Sequence, residues 1–522
     1  MSGFSIECMF ETKLPPVADL NAAEDAAVLA DIVGWAGVEA QATARRLLAV
    51  AELVHRRCGS SERARWACDE WDGAAAELSA ALGISHRRAS GQMYEAVGLR
   101  NRLPQLAALF MSGGVSNRVV SAVVWRTDLV GDRDALELID RAIAERAGQW
   151  GALSQSKLDQ AIDAVIDRHD PGALRRTQGS ARSRDVTFGG QDPETGTSSM
   201  WARLLGADAA ILERRLAQMA HAVCDDDPRT IAQRRADALG ALGAGATQLA
   251  CQCGDERCPS AVKDERAGAV VIHVLADAEA LQAEPDPMMS GEGPPRLQPI
   301  TRNTPLAELM APESGGELPP PCPGRAVIAG GPAIPAPLLA QLVAGGATVR
   351  HVRQPALEPE PGYRPSAALQ AFVRMRDLTC RFPMCDVPAD QCDIDHAIPW
   401  PLGPTHPSNL RCECRKHHLL KTFWVGVGGW SDRQDAAGII TWIAPTGRAY
   451  TTRPGSRVLF PDWNTDTGPL PGHAPPATGG SERGEMMPTR RRTRAAERLR
   501  RIAHERSYND AHVAERNLPP PF

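Results

Sequence analysis

From about Asp19 to Arg168, Ala, Leu, Val and Ile recur at three- and four-residue spacing, as in DIVGWAGVEAQATARRLLAVAELVHRR and NRLPQLAALFMSGGVSNRVVSAVVWR. That is the period of amphipathic helices. Pro104 early in its segment and the Gly113-Gly114 pair mark a helix start and stop. A helical domain is predicted over 19–170. From about Arg182 to Leu281 the pattern is mixed: RDVTF and AVVIHVLA read as strands, and GADAAILERRLAQMAHAV reads as a helix between them. Residues 282–324, with EPDPMM, SGEGPPR and ELPPPCPG, read as a disordered linker inside a mixed α/β region over 182–350. AVIAGG and IPAPLLAQLVAGG close that region as a strand and a helix, and PALEPEPGYRP is a second linker. A cysteine/histidine segment from Ser366 to Phe423 follows, then WVGVGGW, GIITWIAPTGRAYTT and RVLFP as short strands, which together make a module over 366–461. Residues 464–522 read as a disordered Pro/Gly/Thr-rich linker and a basic helical tail, TRRRTRAAERLRRIAHER. No repeat at solenoid periods is present. The expected fold class is mainly α and multidomain, with an α+β middle region and a small C-terminal module with trailing strands.

Composition agrees with this picture. At about 150 residues per domain, 522 residues make two to four domains. Hydrophobic residues are 43% and charged residues 23%, enough to bury cores. Aromatics are 5%, which disfavours a β-sandwich. The net charge is −5, and all but five of the 58 basic residues are arginine, a bias typical of GC-rich coding sequence that says little about function. The start, MSGFSIECMFETKLPP, lacks the basic and apolar regions of a secretory signal. The most apolar stretch is broken by His273 and Asp277, so no membrane span is expected and the default compartment is the cytoplasm. There the 13 cysteines are expected as thiols or metal ligands, not disulfides.

The informative stretch runs from Cys380 to Thr422: CRFPMCDVPADQCDIDHAIPWPLGPTHPSNLRCECRKHHLLKT. Cys380 and Cys385 form a C-x4-C knuckle, and Cys414 and His417 form C-x2-H. Residues three apart share a helix face, so Cys414 and His417 can address one ion. Three thiolates and an imidazole suit tetrahedral Zn²⁺ with no open position, a structural site. A small Pro-rich segment buries little apolar area, so a metal staple is physically reasonable. Cys392 and Cys412 compete as ligands, and free buried thiols are the competing state.

A second constellation is Asp395-His396, Asn409 and His418. The order D-H, N-L, then C-x2-[CH]-H-x2-K-T resembles the HNH endonuclease family over about 45 residues, with Lys421-Thr422 matching its tail. Two departures are the C-x4-C knuckle in place of C-x2-C and His417 in place of a usual cysteine. The resemblance implies a ββα-metal fold stapled by zinc. It also implies metal-dependent cleavage of DNA phosphodiesters, leaving 5′-phosphate ends. A helical domain of unknown function ahead of an HNH segment further resembles the mycobacterial thirteen-E-twelve repeat-element family; GGWSDRQ, PTGRAYTT and PGS carry that match.

The residues make chemical sense by themselves. Histidine has the basicity to activate water near neutral pH, which suits His396. Asp395 and His418 offer a hard oxygen and a nitrogen to Mg²⁺ or Mn²⁺ and leave other positions for water and phosphate. Neighbours in a regular strand face opposite ways, so Asp395 and His396 must sit at a strand end or bulge to share a site. Asn409 is expected to orient the His396 ring. His417 and His418 stand about 100° apart on a helix, so one helix can serve zinc and the second ion. Lys421 is expected to reach the phosphate as a point charge. His406 between prolines is expected to be non-catalytic. Asp393, two residues from Asp395, could share its face, and solvated surface is the expectation.

Three weaker signals remain. Residues 72–98 have helix-turn-helix character, with His86, Arg87 and Arg88 opening the second helix, although Gln92 falls where a core residue is expected. Cys251, Cys253 and Cys258 form a C-x-C-x4-C cluster, a candidate second zinc site whose fourth ligand could be His221, Cys224, His273 or Cys322. The tail from Arg483 to Arg506 has nine Arg against three Glu, and Arg490, Arg491, Arg492 and Arg494 are candidate phosphate contacts. The expectation is a DNA endonuclease tied to a repeated or mobile element. The alternatives are a non-catalytic DNA-binding protein and a helical scaffold carrying a relic module. Oligomeric state is not legible.

Overall fold

The apolar spacing at the start of the chain becomes seven helices: α1 (Asp25–Arg57), α2 (Glu70–Leu82), α3 (His86–Arg102), α4 (Pro104–Met111), α5 (Asn117–Arg126), α6 (Arg133–Ala147) and α7 (Gln155–His169). The computed structural model describes residues 20, 23–59, 62–174, 184–192, 197–255, 257–262, 274–283, 291, 325–328, 333–344, 349–424, 428–472 and 486–518. Helix starts are written locally. The side chains of Asp69, Ser85, Asp132 and Ser154 each accept a backbone N–H from the residue three positions on. Gly83 ends α2 at φ 66°, a left-handed conformation that favours glycine. Ala44, Leu47, Val50 and Ala51 line one face of α1 and join Met93, Leu99, Phe110, Val120, Ile143 and Ile162 in one core. The buried carboxylate of Asp140 on α6 accepts the N–H groups of Gln105 (2.8 Å) and Leu106 (3.0 Å), which would otherwise be orphaned at the start of α4. The segment 72–98 is a helical hairpin, α2 and α3 joined across Gly83, Ile84 and Ser85. Arg87 and Arg88 are exposed, and His86 Nε2 lies 3.4 Å from Asp72.

The basic tail departs from expectation. It is a helix, Arg494–Arg516, that belongs to the same unit as α1–α7. Arg490 bridges Asp69 (3.1 Å) and Asp72 (2.9 Å), and Arg494 meets the same two carboxylates at 3.0 and 2.9 Å. Arg498 pairs with Asp128, Arg506 with Asp170 at 2.8 Å, and Asn509 Nδ2 donates to the carbonyls of Gly172 and Leu174. Arg490 and Arg494 are therefore committed to aspartates of the helical unit, which corrects the reading of 464–522 as one linker with a separate arm. Residues 473–485 of that span lie outside the described residues.

The second unit spans Gln178–Glu485. Strands β1 (Asp185–Gln191) and β2 (Ser198–Arg203) pair antiparallel. Helices α8 (Gly206–His221) and α9 (Ile231–Gly243) pack around Met219, Val223, Ala238, Ala241, Ala246 and Leu249. Strands β3 (Val274–Ala276), β4 (Ala326–Ile328) and β5 (Ala333–Ile334) form an antiparallel sheet beside α10 (Ala336–Ala344). Leu275 and Val327 of that sheet share a core with Met375, Leu378 and Phe460. The middle sheet and the C-terminal module are thus parts of one unit, where the sequence suggested two. The expected linker 282–324 lies almost wholly outside the described residues.

Helix α11 (Ala367–Asp377) leads into the module. Next come β6 (Cys392–His396), β7 (Leu410–Cys414) and α12 (Arg415–Phe423), then β8 (Ser431–Gln434), β9 (Ile440–Ile443) and β10 (Ala449–Thr452), ordered β10-β9-β8. One strand expectation is corrected: RVLFP begins as a helical turn, Ser456–Leu459. Of the expected strand WVGVGGW, residues 425–427 lie outside the described residues, and β8 falls on SDRQ just after it. A buried carboxylate ties the module together: Asp377 takes Arg376 at 2.8 Å, Arg381 at 2.9 Å and the Cys412 N–H at 2.8 Å. Arg376 donates on to the carbonyls of Pro407 and Leu410, and Arg381 to those of Gly438 and Thr452. Paired and hydrogen-bonded on all sides, this is the form in which buried charge is tolerated. About half of the described residues are helical, the sheets are small and antiparallel, and no helix among the described residues is long and apolar enough to cross a membrane.

Candidate metal centre

Cys414 ends β7 and is the N-cap of α12, so one turn later His417 faces back toward it. Cys380 and Cys385 lie on the loop after α11. The ligand atoms of Cys380, Cys385, Cys414 and His417 all fall within 4.8 Å of one another. His417 Nδ1 is 3.3 Å from Cys414 Sγ and 3.5 Å from Cys380 Sγ. The His417 ring stacks on Phe382 at 4.0 Å, and Phe382 packs on Trp430 and Trp442 of the trailing strands. Hydrogen bonds from Cys380 and Cys385, with His417 beside it, hold the Cys414 thiol well below the ordinary thiol range. The donor set can hold a metal such as zinc. Its two competitors are not among these four: Cys392 Sγ donates to the carbonyls of Val387 and Pro388, and Cys412 Sγ to that of Val373.

The other constellation is built on β6. The strand pairs with β7 in the register Asp393↔Glu413, Asp395↔Arg411 and His396↔Leu410. Strand alternation puts Asp393 and Asp395 on one face. Both address His418 of α12: Nδ1 is 2.9 Å from Asp393 and Nε2 is 3.3 Å from Asp395. Asp393, expected as solvated surface, is a partner of His418. Burial works against charge on His418, but hydrogen bonds to Asp395 and then Asp393 push it up to about 9. Burial also opposes the charge on Asp395, yet His418, Lys421 and Arg411 hold its carboxyl well below the usual carboxylate range.

His396 is the last residue of β6, and it is buried. Its Nε2 lies 3.0 Å from Thr405 Oγ1. The Thr405 hydroxyl has a single proton, which it gives to the Gly362 carbonyl at 2.6 Å. Toward His396 it can only accept, so Nε2 carries the proton and Nδ1 keeps its lone pair. Burial pulls His396 below its ordinary value of 6.5, so the ring is a neutral base near neutral pH.

Asn409 and Lys421 differ from expectation. Asn409 Oδ1 accepts the Ile398 N–H at 2.7 Å, and Nδ2 donates to the carbonyls of Ile398 (3.0 Å) and Pro404 (2.9 Å). It organises the loop that follows His396 and does not hold the His396 ring. A Cβ at Gly403 would come within 2.6 Å of the Ile398 carbonyl and 2.7 Å of Asn409, so the loop needs glycine there. Lys421 Nζ meets Asp395 at 2.6 Å and the His396 carbonyl, and its side chain is 9% exposed. That is a position under the site, not a reach toward phosphate. His406 is fully buried between the Leu357 carbonyl and the Ser408 N–H.

Elsewhere, Cys251, Cys253 and Cys258 are joined by Cys224. His273 and Cys322, the other distant candidates, lie outside the described residues. Arg491 and Arg492 are exposed, and Arg492 lies 3.7 Å from Glu497. Thr405 was missed from sequence. Asp393 was set aside as solvated surface, although DIDH places it two residues before Asp395, where it could share that face.

A chain about half helical among its described residues, with small antiparallel sheets and Cys/His clusters able to hold metal, is the class these features define. Residues 36–377 match the family model described as a domain of unknown function, DUF222. The chain belongs to the DUF222 family. The match ends at Asp377, so the cluster Cys380–His417 follows it. The uncharacterized protein Rv2100 of Mycobacterium tuberculosis (strain ATCC 25618 / H37Rv) is 58% identical over 99% of this chain and 94% of its own length. The uncharacterized protein Rv3776 of the same strain is 55% identical over 98% of this chain and 95% of its own length. No solved structure matches.

Proposed function

We propose that the segment from Cys380 to Phe423 is a zinc-stapled nuclease module of HNH type that hydrolyses DNA phosphodiester bonds. Cys380, Cys385, Cys414 and His417 hold the zinc. The observation that carries the proposal is His396: a buried, neutral imidazole whose Nε2 is pinned by Thr405, which leaves the Nδ1 lone pair as the base that would take a proton from water. Asp395 and His418, with Asp393 behind His418, are a donor set that fits a hard divalent ion such as Mg²⁺ or Mn²⁺. When bound, such an ion neutralises phosphate and the charge developing on the leaving oxygen.

In this assignment His396 removes the proton. Asn409 shapes the loop over His396, and Lys421 anchors Asp395 to the end of β6. His418 must give up its proton to become a ligand, so metal binding competes with protons. The arrangement Arg490/Arg494 on Asp69/Asp72 leaves Arg491 and Arg492 as the tail residues best placed for phosphate. Association with a repeated or mobile genetic element is part of the same proposal. The test is incubation of zinc-loaded protein with supercoiled plasmid, with and without Mg²⁺ or Mn²⁺, beside His396→Ala. Cleavage that needs the metal and is lost in the variant is expected. Absence of cleavage with every metal and DNA form sinks the proposal in favour of a non-catalytic module.

A further inference from the structure

Four thiols from two separate stretches converge within the second unit. Cys224 follows α8, and Cys251, Cys253 and Cys258 lie on the loop after α9. Their sulfur atoms all fall within 4.8 Å of one another, and Cys224 Sγ is 3.4 Å from Cys251 Sγ. We propose that these four cysteines bind one zinc ion as a closed structural site that fastens α8, α9 and the loop 250–262 into a single piece. This inference is independent of the nuclease proposal.

Three physical arguments carry it. The first is geometric. A bonded pair of sulfurs sits ~2.05 Å apart, so the 3.4 Å pair is not a disulfide. A tetrahedron of sulfurs around zinc at ~2.3 Å has edges of ~3.8 Å. Four sulfurs all within 4.8 Å need only small adjustments to reach that. The second is the donor chemistry. Four soft thiols with no carboxylate among them select zinc over Mg²⁺, Ca²⁺ or Mn²⁺, and a fourth thiolate leaves no open position for substrate. The third is packing. The core under this region is Met219, Val223, Ala238, Ala241, Ala246 and Leu249, mostly small side chains, which is little apolar burial for two helices and a loop.

The loop is also held in place from outside the sulfurs. Asp227, fully buried with Arg229, accepts the Gln252 N–H at 3.0 Å. Arg229 donates to the Ala250 carbonyl at 2.7 Å, so the pair brackets Cys251 from both sides. Ser260 Oγ donates to the Ala222 carbonyl at 2.8 Å, and the Cys251 N–H to the Ser260 carbonyl at 3.1 Å. These bonds bring the end of α8 and the loop together and orient the ligands.

The test is the zinc content of the full-length protein by mass spectrometry. About two zinc ions per chain are expected, one in each cluster. Cys224→Ser or Cys251→Ser should halve the content, Cys414→Ser should halve it through the other cluster, and Cys224→Ser with Cys414→Ser should remove both. Cys224→His, which keeps a zinc ligand, should retain the second ion. A wild-type protein whose zinc is unchanged by Cys224→Ser, or one with a Cys224–Cys251 disulfide in its peptide map, overturns the proposal. If the serine variants do not fold, thiol alkylation of the wild-type protein decides. Cys224, Cys251, Cys253 and Cys258 should react roughly ten-fold slower before chelation than after it, since thiolates bound to metal are shielded. Equal rates before and after chelation overturn it as well.

Discussion

Asn409 grips the peptide of Ile398 from both ends, accepting its N–H at 2.7 Å and donating to its carbonyl at 3.0 Å. A third bond reaches the Pro404 carbonyl, so one amide side chain closes the loop that starts at His396. Asn409→Ala leaves buried polar backbone groups without partners, which costs about 2–4 kcal/mol. Urea unfolding of the zinc-loaded protein should show that loss together with slower cleavage. Asn409→Asp keeps the acceptor and loses both donors, so it should fall between wild type and alanine. A slow but fully stable Asn409→Ala would place its role on the His396 ring instead.

The base and the metal ligand should separate by rescue. His396→Ala removes proton transfer and should lower cleavage by ~10²–10⁴-fold with zinc retained. His418→Ala weakens the divalent ion, so raising Mg²⁺ or Mn²⁺ should restore part of the rate by mass action. Equal rescue of both variants would reverse the roles. Thr405→Val removes the acceptor that fixes the tautomer of His396 and should cost about 10–100-fold with little change in DNA affinity, as partners of this kind do.

Stability should peak near neutral pH in zinc-loaded protein without added Mg²⁺ or Mn²⁺. Burial holds His396 and His406 below 6.5 when folded. Below about pH 6.5 the unfolded chain therefore binds protons that the folded one refuses, and stability falls with acid. His418 has the opposite sign. Its folded value is raised to about 9, so its contribution is full below the unfolded value and is lost as pH rises from about 6.5 to 9. Urea midpoints at pH 5, 6.5 and 9 check this. His406→Asn should weaken the acid limb and His418→Ala the alkaline limb. A midpoint independent of pH would exclude both assignments.

The acidic pair on α2 should control the C-terminal helix. Asp69 and Asp72 are 7% and 3% exposed in their side chains, while Arg490 and Arg494 are 30% exposed. Asp69→Ala with Asp72→Ala should cost about 2–3 kcal/mol, less than a fully buried pair because solvent screens the guanidinium groups. Trypsin should then cut between 490 and 506 sooner. Deleting the residues after Gly480 should destabilise the helical unit itself. Unchanged stability after that deletion would mean the contacts are incidental.

Local signals carried far in this chain. Capping residues, Pro104, the apolar spacing of α1 and the β9–β10 turn lie within a few positions of the structure they specify. The knuckle spacing likewise picked out Cys380, Cys385, Cys414 and His417, because i,i+3 on a helix already faces two ligands one way. What was not legible depends on distance. The target of Asn409 is a loop backbone folded across from it. The basic tail looked solvated because its aspartate partners lie about 420 residues away in sequence. Cys224 is separated from its partners by a whole helix, so it stood as one of four candidate fourth ligands with no spacing rule to single it out.

The helical unit is assembled from two stretches, residues up to 177 and residues from 486 onward, with the entire second unit inserted between them. A ribosome adds ~5–20 residues per second, so α7 precedes the C-terminal helix by roughly 15–60 s of translation. During that interval Asp69, Asp72, Asp128 and Asp170 stand without the arginines that the later stretch brings to them. A nascent chain interrupted anywhere in the second unit would carry a first unit with its acidic seam open. The arginine seam thus makes completion of the first stretch conditional on one made about 300 residues later, which links maturation of the helical unit to synthesis of everything between them.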